Sequence, residues 1–181
     1  AEPGGRFDLN RIATRAEAVE GGFRLTGEKS HALDGGSADW FVVPARTAGA
    51  DDSADGVSLF LIPADAAGLT VMRSRAMDNR HNASLKLDGV LAPVETLIGD
   101  LGEGFPLLRD AVDRGVVARL AEAVGAMDAV REMTLEYLKT RKQFGQTLGA
   151  FQALQHRAVD MAIACEEARS MMYLATIALS G

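Results

Sequence analysis

The chain has 181 residues, 48% of them hydrophobic and 24% charged, so it can bury a core and is not a disordered segment. Its net charge of -6 argues against nucleic acid as the main partner. A single cysteine, Cys165, excludes a disulfide framework or a cysteine-based metal site within one chain.

Residues 1–97 read as β. Residues 11–20 alternate loosely and end at Gly21-Gly22. Residues 23–26 alternate apolar with polar and end at Gly27, which predicts a hairpin. A buried-type run follows at 40–46, then a small, acidic, exposed loop at 47–56. Further strands are predicted at 57–62, 69–75 and 83–91, with a turn at 63–68. Short strands separated by turn signals, with no helices between them, predict an antiparallel barrel or sandwich.

The period changes at Gly102-Glu103-Gly104. Phe105, Leu108, Val112, Val116, Leu120, Val124, Met127 and Val130 then recur at steps of three and four, and the stripe runs on through Thr134 to Leu138. This is a long helix, with Gly145 placed to stop it or the short tail that follows. A second stripe is cleaner: Phe151, Leu154, Ala158, Met161, Cys165, Ala168, Met172, Ala175 and Leu179. The two helices read as an antiparallel pair that cannot bury both flanks alone, so further helices are expected beside them. The fold class is α+β, with domains at 1–97 and 103–181.

No apolar run approaches the ~18 residues of a membrane span, so no membrane partner is expected. The first residues do not read as a signal peptide, and a cytoplasmic protein is the simplest expectation. The chain opens in a Pro-Gly-Gly turn without methionine and closes on Ser180-Gly181 after a helical stripe, so it reads as part of something longer. His31, His81 and His156 match no metal or triad spacing, and no metal is expected. The glycine pairs Gly4-Gly5 and Gly35-Gly36 do not sit between a strand and a helix as a dinucleotide loop requires. Glu122, Asp128, Glu132 and Glu136 read as a solvated helix face. Arg141-Lys142 at a helix end reads first as dipole compensation. The pattern of residues gives a β domain followed by part of a helix bundle, with no self-evident active site.

The order of motifs resembles the acyl-CoA dehydrogenase family over the whole chain. Ala1-Glu2-Pro3 with Asp8 resembles the start of that family's middle β domain, and Leu25-Thr26-Gly27-Glu28-Lys29 and residues 38–46 resemble its next strands. Leu87-Asp88-Gly89-Val90 with Pro93, then Leu97-Ile98-Gly99 and Gly102-Glu103-Gly104-Phe105, resemble the passage into the long helix. Arg141-Lys142-Gln143-Phe144-Gly145 and Phe151-Gln152 are the most specific signature. Residues 121–127 and 136–140 look like the branch typified by the pimeloyl-CoA dehydrogenase small subunit.

The resemblance implies a three-domain protein, of which this chain holds the middle domain and the first two helices of a four-helix bundle. It implies FAD-dependent α,β-desaturation of an acyl-CoA, with an electron-transferring flavoprotein as acceptor and a homo- or hetero-oligomer, typically a dimer of dimers. Carried over residue by residue, Arg141 meets the FAD pyrophosphate of a neighbouring subunit, a role suited to a guanidinium fork. Gln143, Phe144, Phe151 and Gln152 flank the same FAD. Glu2, Pro3, His31 and Leu33 lie by the flavin, and Asp113 contacts substrate.

There are departures from the family pattern. Arg6-Phe7 stand where Gly-Ser is usual, and His31 and Leu33 replace a tryptophan and a hydroxyl residue. Val116 replaces an arginine, and Gly115 falls where one branch places its catalytic glutamate. No residue of this chain is identified as the base. The piece alone is therefore expected to be inactive, within either an active dehydrogenase or the weaker, FAD-clamping subunit of a heteromeric one. A reading from another class is a helical assembly module without catalysis.

Overall fold

The computed structural model describes residues 1–5 and 8–180. Arg6 and Phe7, singled out above as a departure, lie outside the described residues. Contacts divide the chain into two compact units, Ala1–Asp110 and Ala111–Gly181.

The first unit holds one seven-stranded sheet: β1 (Arg15–Val19), β2 (Gly22–Ala32), β3 (Trp40–Arg46), β4 (Val57–Pro63), β5 (Leu69–Arg75), β6 (His81–Pro93) and β7 (Leu97–Ile98), in the order β5-β6-β2-β1-β3-β4-β7. Neighbours are antiparallel except β1 and β3, which run parallel at Arg15 and Arg46. The turn after β2 reverses the chain and carries β3 past β1 to its far side, so the sheet is mixed rather than purely antiparallel. The sheet also closes on itself as a sandwich. Phe23 of β2 and Phe60 of β4 are three places apart in strand order, yet their rings lie 5.2 Å apart.

The core is the inward half of the alternating strands, including Leu25, Phe41, Val43, Phe60, Leu85 and Leu87. The expected buried run at 40–46 is buried on one face only, because Trp40 and Val42 face outward. Gly27 does not end a strand as expected. β2 runs on to Ala32, with a register shift at Leu25/Thr26. A Cβ at Gly27 would lie 2.6 Å from Thr14 Oγ1, so the glycine lets residues 12–14 cross the strand closely.

Helix α1 spans Gly104–Thr140 and α2 spans Gln152–Ser180, 37 and 29 residues. The residues leading into α1 are tied to β4, with Gly102 N–H donating to Ser58 Oγ at 2.8 Å. In the second unit the helices run antiparallel. Asp128 pairs with Arg169 and Arg131 with Glu166, so a step up one helix is a step down the other. Every residue of the α2 stripe from Phe151 to Leu179 is buried or half-buried, as its spacing predicts. The α1 stripe is drawn differently. Val116, Leu120 and Val130 are exposed, and the seam runs through Val124, Met127, Arg131, Leu135 and Leu138. Charged pairs occupy seam positions there, which breaks the apolar pattern. Each helix keeps an uncovered apolar face, with Met133 and Tyr137 on α1 and Leu174 and Ile177 on α2. No helix of the described residues is long and apolar enough to cross a membrane.

Candidate functional site

The residues between the helices fold into a small, tightly built hairpin. α1 ends at Thr140, whose hydroxyl donates back to Glu136 O at 2.8 Å. Strands β8 (Lys142–Gln143) and β9 (Gln146–Thr147) pair antiparallel, and Leu148 N–H donates to Arg141 O at 2.8 Å. Only Phe144 and Gly145 connect the strands, and both have positive φ, 53° and 77°. That is the signature of a type I′ turn. Glycine suits such a turn, but phenylalanine does not. A bulky residue held in the left-handed region costs about 1–2 kcal/mol.

The cost is spent on presentation. Phe144 is 90% exposed, with its ring 6.2 Å from that of Phe151 and nearly perpendicular to it. The Arg141 side chain is exposed at the hairpin's base and has no side-chain partner among the described residues. Gln143 folds its amide onto Lys142 O at 2.9 Å, while Gln152 opens α2. Gln155 donates to Gly149 O at 2.8 Å and so fixes the short 3-10 turn before α2. The sequence-predicted residues Arg141, Gln143, Phe144, Phe151 and Gln152 are thus brought together on one rigid connection. It offers an unpaired cation, an aromatic edge, two amides and the positive end of a helix dipole. That set suits a phosphate joined to a flat heterocycle.

A second group lies in the β unit. Ser30 N–H donates to Ala1 O at 2.9 Å, which sets the leading residues beside His31. His31 and Asp34 have positive φ, 56° and 53°, and Leu33 between them is exposed. Pro3 is also exposed. Glu2 turns inward. Its Oε1 accepts from Lys29 Nζ at 2.5 Å, Thr14 Oγ1 at 2.7 Å and Thr14 N–H at 3.1 Å, and its Oε2 accepts from Ala13 N–H at 2.6 Å. Lys29 Nζ also donates to Pro44 O at 2.6 Å.

Burial pushes the Glu2 carboxyl up, but the Lys29 ammonium and the Thr14 and Ala13 donors outweigh it and hold it below the usual carboxylate range. For Lys29, burial lowers the pKa, with Glu2 opposing and Arg46 adding to the fall. The Glu2 carboxylate is therefore spent inside the unit. Sequence reasoning quoted Lys29 in a motif without giving it a task. The signal was its parity, since it shares the inward face of β2 with Leu25.

Asp113 and Gly115 lie on α1, exposed, and a Cβ at Gly115 would meet nothing within 4 Å. Among the described residues, no three His, Cys, Asp or Glu side chains are placed to hold a metal ion.

Two family models match in tandem: the acyl-CoA dehydrogenase middle domain over residues 1–90 and the acyl-CoA dehydrogenase C-terminal domain over residues 102–180. The chain belongs to the acyl-CoA dehydrogenase family. Within it, the chain is similar to an L-prolyl-[peptidyl-carrier protein] dehydrogenase of Serratia sp. (strain ATCC 39006), 32% identical over 179 residues, covering 96% of this chain and 46% of the relative. Among solved structures, the FAD complex of PigA superposes with a TM-score of 0.89 at 32% identity, covering 96% of this chain and 46% of that one. A glutaryl-coenzyme A dehydrogenase in complex with glutaryl-CoA superposes with a TM-score of 0.88 at 26% identity, covering 97% and 45%. The chain spans about half the length of the relatives it matches.

Proposed function

We propose that the protein carrying this chain is an FAD-dependent dehydrogenase that desaturates an acyl thioester between its α and β carbons. The hairpin carries the reading. An exposed guanidinium with no side-chain partner among the described residues, beside a strained, outward-held phenyl ring, fits the pyrophosphate and adenosine of FAD. Arg141 binds phosphate oxygens of a neighbouring subunit's FAD through its planar fork, Phe144 and Phe151 border the adenosine of that FAD, and Gln143 and Gln152 donate amide hydrogens to it. The flavin ring of the chain's own FAD lies by Glu2, Pro3, His31 and Leu33 of the β unit, and Asp113 meets the substrate. FAD, when bound, supplies the acceptor for the β hydride.

Solved relatives in complex with FAD and with glutaryl-CoA support both the cofactor and a CoA thioester. The peptidyl-carrier relative keeps a carrier-bound thioester within the same chemistry. An electron-transferring flavoprotein as acceptor, a dimer of dimers and a place in the pimeloyl-CoA small-subunit branch belong to the same reading. So does a division into domains 1–97 and 103–181, which cuts where the β pattern stops.

Two outcomes test the reading. Phe144→Asn relieves the left-handed strain, so thermal stability is expected to hold or rise by up to about 1 kcal/mol while FAD binding weakens. A scan beside an FAD titration checks it, and unchanged FAD affinity would remove Phe144 from the site. The isolated chain is expected to show no turnover with an acyl-CoA and an artificial electron acceptor, because it offers no assignable base. Flavin reduction above background contradicts that.

A second reading is favoured by Gly115, which leaves open space where one branch of the family carries its glutamate. Here the chain belongs to the FAD-clamping subunit of a heteromer. The flavin-to-polypeptide ratio separates the two readings. A homomeric enzyme binds one FAD per chain, and the heteromer binds fewer.

A further inference from the structure

Arg46 is the largest fully buried side chain among the described residues, at 1% exposure. Its partners among the described residues are all main-chain carbonyls. Nε donates to Ile12 O at 2.9 Å and Nη1 to Asp55 O at 2.9 Å. Nη2 is shared among Asn10 O at 3.1 Å, Asp51 O at 3.1 Å and Ser53 O at 2.9 Å. The five acceptors come from two segments well separated in sequence, 10–12 and 51–55, and neither is part of a strand or helix. A buried cation is tolerated only where its hydrogens are taken up, and here the carbonyls do so.

The dependence runs the other way as well. Five carbonyl dipoles pointing at one spot repel one another unless a cation sits among them. Each segment has ties of its own, with Ala13 and Thr14 on Glu2 and Thr47 and Ala48 N–H on Gly56 O, but few others join one segment to the other. Ile12 N–H donates to Asp51 O at 2.8 Å, and the Arg15–Asp51 ion pair is exposed and so contributes little. From this cage the main chain leads straight to the leading turn, because Ala13 and Thr14 donate to Glu2, and Arg11 Nη1 donates to Gly4 O at 3.1 Å.

We propose that Arg46 is a positioning residue, its guanidinium the permanent occupant of a main-chain carbonyl cage that locks segment 10–14 against loop 47–56 and so fixes the turn at Glu2–Gly5. The effect on flavin binding rests on the reading above, which sets that turn beside the flavin. The effect on the two segments does not. A planar fork of five N–H groups reaches carbonyls spread around it, whereas an ammonium cannot. An alanine at 46 leaves a vacancy of guanidinium shape, which free guanidinium ion can fill.

The test is Arg46→Ala in the flavoprotein, followed by hydrogen exchange and by flavin retention. Amides of 8–14 and 47–56 are expected to exchange at least about tenfold faster while β6 stays protected. Guanidinium chloride, kept well below denaturing concentrations, restores protection, and sodium or ammonium chloride at equal ionic strength does not. Unchanged exchange in the variant, or equal rescue by sodium chloride, overturns the cage. Should Arg46→Ala not fold, Arg46→Lys is measured instead. It is expected to exchange faster in the same two segments, and wild-type protection in it overturns the proposal. If the cage behaves as expected but flavin retention never changes, the positioning role is wrong while the cage stands.

Discussion

Replacing Lys29 by methionine is expected to destabilise the β unit by about 3–5 kcal/mol, the usual cost of leaving one member of a buried ion pair without the other. Glu2 and Lys29 are only 8% and 7% exposed, and methionine preserves the volume of the lysine stem. What is lost is the ammonium on Glu2 Oε1 and on Pro44 O. Denaturant unfolding of Lys29→Met checks the size of the effect. The double variant Glu2→Gln/Lys29→Met is expected to recover much of the loss, since removing both charges removes the uncompensated one.

The pair also sets an acid limit. The folded Glu2 pKa lies below the ordinary value of 4.5, so its contribution is full above pH 4.5 and is lost as pH falls from there through the folded value. Stability measured from neutral to acidic pH is expected to fall across that window in the native protein and to fall less in Glu2→Gln. Equal slopes would contradict the assignment.

Arg141→Ala is expected to weaken FAD binding by roughly ten- to a hundred-fold, which corresponds to about 1.5–3 kcal/mol for hydrogen bonds from a charged donor. Folding is expected to change little, because the side chain is exposed and the hairpin is held through the main chain of residue 141. Arg141→Lys keeps the charge and loses the fork, and should fall between alanine and arginine. The competing task for a cation at a helix end is dipole compensation. That predicts the reverse pattern: stability falls by a few tenths to 1 kcal/mol while FAD affinity is unchanged. Fluorescence titration with FAD beside thermal unfolding separates the two.

The elements that repeat were legible in the residues. Six strands, the two long helices and the whole α2 stripe follow from periods of two and of 3.6 residues, and the structure places them accordingly. What is set by partners distant in sequence was not. The parallel pairing of β1 with β3 depends on where the chain crosses, which no local pattern records. Lys29 is charged, and charge reads as exposure unless the parity of β2 is followed inward; Arg46 shares its parity with the outward Trp40 and Val42 and is buried only because residues 10–12 and 51–55 cover it. On α1, Arg131 and the neighbouring Asp128 interrupt the apolar seam, so apolar spacing alone points to Val116 and Val130, which are exposed.

The candidate site was legible through the likeness of Arg141-Lys142-Gln143-Phe144-Gly145 to a family signature, not through periodicity. The structure adds a physical reason for attention, a phenylalanine held at positive φ with its ring in solvent. It also shows the Glu2 carboxylate bonded inside the β unit. That leaves the exposed Pro3 to face outward beside it.

The most direct test of the central claim is the visible spectrum of the purified full-length protein, recorded anaerobically before and after addition of an acyl-CoA series. A yellow protein is expected, with a flavin band that bleaches with at least one thioester, and an Arg141→Ala variant that loses the band on gel filtration. A colourless protein that takes up no FAD, or a bound flavin that no acyl thioester reduces, would contradict it.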